Sequence, residues 1–428
     1  MGNNRLDDIF SFDEIMDDCV KCGKCIPVCT IHNVNADEVT SPRGFIDLLG
    51  AYKNGKLELD TNAKDIFESC FLCTACVEAC PKSLPTDMII EQVRSDIAKK
   101  FGIAWYKKAF FLLLRHRWMN DIAFKLGWTF QTCGFKIKEN ISSMTSRINL
   151  PIVKTDRVLP SLSKTSFLNS HEENIDNGGK RKVAIFIGCL ANYNYKDVGE
   201  GLLEILEALE IDAFLAKSQK CCSAPAYFTG DFDTVDYNAK ENIRYFETFE
   251  NDVEAIIVPE ATCSAMLKID YEHYFHDQPD WRARARVVMR KVFMATEWLQ
   301  KHTHLEELLA SKKKVPKIVT YHDPCHAKKM QGIHQEPRSL IRTNYKIVEM
   351  SDPNACCGFG GITMQTEKYH FAQAAGKPKA AMIKETKADI VSAECSACRM
   401  QINNSMGIES EVVFKNPIEL IAEALRGE

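Results

Sequence analysis

The chain has 428 residues, 45% of them hydrophobic, and a net charge of −4 at neutral pH. That length holds two to four ordinary domains with cores of their own, and with no net basic field nucleic acid is not an expected partner. The outlying number is 18 cysteines; at roughly 4% of residues they fall below the ~8–10% of small disulfide scaffolds, and their grouping as C-x-x-C favours metal.

Residues 1–18 are polar and acidic without an apolar run, so no secretory signal is expected and the thiols should sit in a reducing cytoplasm. Met1-Gly2 lacks the Ser or Thr that myristoylation wants at position 6, where Leu6 stands. The best apolar run, 110–114, is flanked by Lys107, Lys108, Arg115 and Arg117 and is too short for a membrane span. A cytoplasmic chain is expected, with a peripheral position at the inner face of the cytoplasmic membrane left open.

Cys19, Cys22, Cys25 and Cys29 follow C-x2-C-x2-C-x3-C, and Cys70, Cys73, Cys76 and Cys80 repeat it, closed by Pro81. This is the bacterial ferredoxin pattern, in which three cysteines of a run hold one cubane and the fourth reaches the other. The expected ligands are Cys19, Cys22, Cys25 and Cys80 for one 4Fe-4S cluster, and Cys70, Cys73, Cys76 and Cys29 for the second. Paired zinc sites are the alternative, but a zinc ribbon needs separated pairs rather than two identical runs. Thr30 follows the first run where proline is usual.

Between the runs, Ser41-Pro42-Arg43-Gly44 reads as a helix start before apolar helical spacing over 45–52, and 86–100 reads as a helix with Met88, Ile89, Val93 and Ile97 on one side. The 40 residues between the runs exceed what a small ferredoxin needs, so a mostly helical two-cluster domain is expected over 1–100. A helical extension follows over 101–150. Its aromatic and basic stretch 101–128 reads as an amphipathic helix packed on the ferredoxin domain or a partner subunit, with a membrane surface as the alternative. Cys133, without a cysteine neighbour, reads as a buried small hydrophobe. Residues 151–182, with Pro151, Pro160 and Gly178-Gly179, read as a linker.

After the linker the chain repeats itself. A strand run at 183–187 leads to Cys189 and another at 317–321 leads to Cys325; Cys221-Cys222 matches Cys356-Cys357, and Cys263 matches Cys395. Each copy alternates strand and helix, which implies mainly parallel sheets with ligands beyond the strand ends, where these cysteines fall. The first copy spans 183–310 and the second 311–428. The expected fold is therefore α+β and multidomain: a helical ferredoxin-like domain, then two tandem α/β cysteine-rich domains.

The copies differ in chemistry. Cys325, Cys356, Cys357, Cys395 and Cys398 give the second five thiols around Cys356-Cys357-Gly358-Phe359-Gly360-Gly361, a doubled cysteine that suits adjacent irons of a cluster, with glycines that let backbone pass close to sulfide. In the first copy Met266 stands where Cys398 would and Ser223 where Gly358 would, leaving Cys189, Cys221, Cys222 and Cys263 for a cluster, zinc or no metal. His322 and His326 flank Cys325 and could tune a site or merely hydrogen-bond in a loop. Neither 358–361 nor Gly199-x-Gly201 has dinucleotide spacing, so no flavin or nicotinamide site is expected. Lys312-Lys313-Lys314 reads as a solvated loop, and Arg282, Arg284, Arg286 and Arg290 as one face of an amphipathic helix.

Two ferredoxin runs followed by two C...CC...C-x-x-C domains resemble the iron-sulfur subunits of glycolate oxidase, of L-lactate utilisation systems and of anaerobic glycerol-3-phosphate dehydrogenase; the cysteine-rich domain also occurs in heterodisulfide reductases. Ser41-Pro42-Arg43-Gly44 and the Leu159-Pro160...Phe167 stretch look most like the glycolate oxidase branch. The resemblance implies the electron-transfer subunit of an oxidoreductase, taking electrons from a separate flavin subunit that oxidises a 2-hydroxy acid and passing them towards a quinone-type membrane acceptor. It also implies a non-cubane 4Fe-4S cluster on Cys325, Cys356, Cys357, Cys395 and Cys398. The rival expectations are a heterodisulfide or disulfide reductase acting at Cys356-Cys357, an iron-sulfur subunit for lactate or glycerol 3-phosphate, and a zinc-stabilised scaffold.

Overall fold

The computed structural model describes residues 12–149, 153, 155–361 and 366–427; Met1-Gly2, most of the polar opening stretch and Pro151 lie outside them. The chain divides into two compact units. One holds residues up to Leu112 with Ser223–Tyr237 and Cys356–Pro378, and the other holds Leu113–Cys222, Asn238–Ala355 and Lys379–Glu428.

The first unit is mostly helical. Helix α1 (Pro42–Lys53) starts as its tetrapeptide dictates: the Ser41 hydroxyl accepts from the Gly44 amide at 3.0 Å, and Pro42 stands at the first turn, where no amide is needed. Its Phe45, Ile46 and Leu49 are buried, with Phe45 stacked on Phe67. Helix α2 (Thr86–Phe101) turns Ile89, Ile90, Val93 and Ile97 inward, each such side chain contributing about 1.5–3 kcal/mol of burial.

In the second unit, helix α3 (Arg117–Gly134) follows an extended residue, His116. The stretch expected as one amphipathic helix is thus broken after Trp105–Arg115. Beyond α3, strands β1 (Phe135–Lys138) and β2 (Ser143–Ser146) form a hairpin that β3 (Val158–Pro160) joins as a third antiparallel strand. Helix α3 also corrects the reading of Cys133, which is exposed. Gln131 is drawn inward by both groups of its amide, which bond the Leu162 backbone at 3.1 and 3.2 Å. Two residues on, at about 100° per residue, Cys133 points away.

The two copies have the same sheet order. In the first, β5 (Arg181–Ile185) lies between β6 (Ile211–Leu215) and β7 (Ile256–Val258), and β7 pairs with β8 (Val292–Met294), all parallel; the short β4 (Asn174–Ile175), from the stretch read as linker, adds an antiparallel edge. In the second, β9 (Ile318–Tyr321) lies between β10 (Lys346–Ile347) and β11 (Ile390–Ser392), and β11 pairs with β12 (Val413–Lys415). Both central strands are buried over their last three residues, 183–185 and 319–321, as parallel strands covered on both faces are. One hydrophobic core joins them, with Val183 and Ile185 from the first sheet and Val319, Tyr321 and Ile390 from the second.

Helices α4 (Asp197–Ala208) and α5 (Pro417–Arg426) pack across that core, and this explains Gly199-x-Gly201. A Cβ on Gly199 would strike the Phe167 ring, and one on Gly201 would press on Ala422 at 3.2 Å. These glycines serve helix packing. Arg282, Arg284 and Arg286 lie on the helix Pro279–Met289 and Arg290 caps its end; Arg284 pairs with Glu247 and Arg282 with Glu272. Among the described residues no helix is long and apolar enough to cross a membrane.

Candidate metal centres

Both ferredoxin runs wind tightly enough to hold non-glycine residues at positive φ: Lys21 at 53° in the first, Leu72 at 55° and Thr74 at 56° in the second. Such strain persists only where the surroundings demand it, and it gathers at functional loops. The windings bring the thiols together in two recesses. Cys19, Cys22, Cys25, Cys76 and Cys80 line one; Cys29, Cys70, Cys73 and Cys76 line the other. Cys29 therefore stands with the second run and Cys80 with the first. Thr30 sets its hydroxyl 3.4 Å from the Cys73 sulfur, a contact proline could not make.

The recesses differ in wetness. Cys22 is exposed, whereas Cys29 and Cys73 are buried. Burial pushes the Cys29 and Cys70 thiols up to about 12 and Cys76 well above its usual value. Converging buried thiols of that kind ionise only against a positive centre, so the all-sulfur donor set fits a soft metal or an iron-sulfur cluster.

The second run is clamped by a residue that the sequence did not single out. Arg94 on α2 is 1% exposed and donates to Phe67 O at 3.1 Å, Cys70 O at 2.7 Å and Phe228 O at 2.9 Å. The doubled-cysteine loop of the second copy meets the same run: Gly361 N donates to Phe71 O at 2.9 Å, and Lys368 donates to Asp65 O and Ser69 Oγ at 2.6 and 2.8 Å. Gly360 has φ +47°, and a Cβ there would overlap Phe71 O; one on Gly358 would lie 2.8 Å from Ala372 O. The glycines thus have a reason that the sequence did not show, close approach to the protein's own backbone. Ser223, the counterpart of Gly358, shares its left-handed backbone at φ +73°.

In the second unit, the four thiols of the first copy converge. Cys222 Sγ lies 3.4 Å from Cys263 Sγ, and a hydrogen bond with Cys221, then burial, raises the Cys189 thiol well above its usual range. Gly188 lies against Cys263, where a Cβ would come within 3.1 Å of the sulfur. Asn242 fixes the approach to Cys221 by accepting from Lys220 N at 2.7 Å while donating to Tyr271 OH at 3.1 Å. Met266 is wholly buried. This set also fits a soft metal.

From the second copy, this unit contributes Cys325, Cys395 and Cys398. Cys395 accepts from Cys398 N at 3.5 Å, and bonding from the Cys398 side chain outweighs burial to lower the Cys395 thiol to about 6. Cys325 Sγ lies 3.4 Å from His326 Nδ1. His322 is buried, bonded through Nδ1 to Pro353 O at 3.2 Å, and held neutral because burial lowers its pKa well below the ordinary value. Cys356 and Cys357 belong to the first unit.

The cysteine loops of the two copies clasp each other within the second unit. The buried Glu260 carboxylate accepts from Ser396 N at 2.7 Å and from the Ser396 hydroxyl, Ala261 N donates to Glu394 O at 2.7 Å, and Thr262 Oγ1 lies 3.6 Å from Cys395 Sγ. Burial raises Glu260 and Glu394 to about 8 each. Glu260 was not legible in advance, since a carboxylate three residues before a cysteine has no distinguishing pattern. Arg94 carried one faint signal, its place one turn after the buried Ile90.

Comparison with known proteins agrees with this chemistry. The 4Fe-4S dicluster domain matches residues 15–84, and the cysteine-rich domain matches 183–268 and again 319–403. The chain is 28% identical to the probable glycolate oxidase iron-sulfur subunit of Bacillus subtilis, over 94% of this chain and 92% of that protein. It is 31% identical to lactate utilization protein A of Bacillus licheniformis over 57% of this chain and 98% of that protein. It is also 28% identical to a subunit of the fumarate reductase (CoM/CoB) of Methanothermobacter marburgensis, over 94% and 71%. With a dicluster ferredoxin domain and two cysteine-rich domains in this order, the chain belongs to the family of iron-sulfur oxidoreductase subunits that includes the glycolate oxidase iron-sulfur subunit and lactate utilization protein A.

Proposed function

We propose that this chain is the electron-transfer subunit of a flavin-dependent 2-hydroxy-acid dehydrogenase complex that oxidises glycolate to glyoxylate. The oxidation releases two electrons and two protons at the flavin of a partner subunit; this chain carries the electrons singly, and a quinone takes up two electrons and two protons. The ligands of the first 4Fe-4S cluster are Cys19, Cys22, Cys25 and Cys80, and those of the second are Cys29, Cys70, Cys73 and Cys76. The lining of the two thiol recesses supports that exchange of fourth cysteines. Cys325, Cys356, Cys357, Cys395 and Cys398 hold a non-cubane cluster, and Cys189, Cys221, Cys222 and Cys263 hold a cluster or zinc. The chain works at the inner face of the cytoplasmic membrane.

One observation carries the reading: the doubled-cysteine loop is hydrogen-bonded to the second ferredoxin run, Gly361 N to Phe71 O. A redox site joined by one backbone hydrogen bond to a second suits electron relay. The test is anaerobic co-purification with native partners, followed by dye reduction with glycolate, lactate and glycerol 3-phosphate in parallel. Glycolate-dependent reduction supports the reading; reduction by lactate or glycerol 3-phosphate alone moves the chain to that substrate.

A second reading, a disulfide reductase acting at Cys356-Cys357, rests on the doubled cysteine, whose loop is hydrogen-bonded to the second ferredoxin run. A substrate thiol would then alter the paramagnetic spectrum of the oxidised protein, and an unchanged spectrum on adding disulfides removes it.

A further inference from the structure

Helix α3 has two faces of opposite character. Its inner face is pinned to its own unit: Asp121 accepts from Tyr193 OH at 2.7 Å, Phe124 stacks on Tyr193 at 4.2 Å, Gln131 bonds the Leu162 backbone, and Arg117 donates to Asn169 Oδ1 at 2.7 Å. Its outer face carries Trp118, Ile122, Leu126 and Phe130, which are 65%, 53%, 56% and 64% exposed. Spaced four apart, they form one continuous apolar band along the helix. Scattered exposed hydrophobes need no explanation, but an aligned row on a rigidly held helix does.

The charge around the band says what covers it. Between residues 113 and 147 stand six Lys and Arg against two acidic residues, in a chain whose net charge is −4. Asp121 and Arg117 are both turned inward, to Tyr193 and Asn169, and Lys138 bonds Ile408 O, which leaves Lys125, Lys136 and Arg147 exposed against Glu139. An apolar band with aromatic rings at its two ends, aliphatic side chains between them, Lys125 on its flank and Lys136 on the strand that follows the helix matches an amphipathic helix lying in the plane of an anionic bilayer. Trp118 suits the headgroup level, where its ring is buried and its N–H stays hydrated. We propose that the outer face of α3 is a docking surface for an anionic lipid membrane. This deepens the reading that electrons leave towards a membrane acceptor and rests on it for its purpose.

The test uses the full chain, purified anaerobically, with vesicles of phosphatidylcholine alone and of phosphatidylcholine mixed with phosphatidylglycerol, followed by co-sedimentation and tryptophan emission. The expected result is binding to the anionic vesicles that weakens with salt, with a blue shift that Trp118→Phe diminishes. Leu126→Ser with Phe130→Ser should weaken binding about tenfold or more, and Lys125→Gln with Lys136→Gln should erase the preference for anionic lipid. All four positions are exposed, and unchanged circular dichroism and iron content establish that the variants fold. Absence of binding to anionic vesicles overturns the proposal, as does equal binding by the Leu126/Phe130 variant. So does a variant that binds vesicles normally but no longer co-purifies with its flavin partner, which would make α3 a protein interface. The vesicle assay involves no electron transfer, so it and the proposed activity fail separately.

Discussion

Arg94→Met removes the guanidinium that ties Phe67 O, Cys70 O and Phe228 O together inside the first unit while keeping an unbranched apolar stem. Three buried carbonyls then lose a charged donor. Leaving a buried acceptor unpaired costs about 1–3 kcal/mol each, and desolvating the guanidinium returns part of that, so the net loss should be about 3–6 kcal/mol. For a unit of this size that lowers the melting temperature by roughly 10–20 °C. Arg94→Lys keeps the charge but has one compact ammonium in place of a planar fork, so it should recover only part of the loss. The assay is an anaerobic melt at fixed scan rate, followed by circular dichroism and by visible absorbance. A shift of less than about 3 °C in Arg94→Met, or full recovery in Arg94→Lys, would refute the clamp.

Two further outcomes follow from the same contacts. Gly360→Ala, with its Cβ forced onto Phe71 O at φ +47°, should destabilise the first unit by several kcal/mol, whereas Gly178→Ala, at φ +77° with open space around it, should cost about 1–2 kcal/mol; paired melts separate strain from collision. Glu260→Ala deprives Ser396 of both its acceptors and should cost about 2–4 kcal/mol, while Glu260→Gln keeps a carbonyl and should cost less than half of that. Equal melts for the two variants would mean that the clasp between the cysteine loops contributes nothing.

Much of the fold was legible because its signals are periodic. The cysteine runs repeat at fixed spacing, α1 carries its own start signal in Ser41-Pro42, and the two parallel sheets follow from apolar strands that lead into cysteine loops at matching offsets. What escaped was long-range. Arg94 looks like a solvent residue until Phe228, 134 positions away, is seen to accept from it. Glu260 acquires its meaning from Ser396, and Cys133 turned outward because Gln131, two residues earlier, had a partner at Leu162. Short strands such as β3 and β4 left no alternation to read in a stretch of Ser, Asn and Pro. The glycines after Cys357 stand out in the sequence, but their neighbours do not: Gly360 meets Phe71 O, about 290 residues earlier in the chain, and Gly358 meets Ala372 O.

The most direct test of the electron-transfer account is Cys73→Ser, assayed for iron and for electron flow from the native flavin partner to acceptor. The wild-type chain should hold about eight irons in its ferredoxin domain alone, and the variant about four fewer. The account predicts that this loss abolishes electron flow while the chain stays folded. A folded variant depleted of iron that passes electrons at the wild-type rate would contradict it.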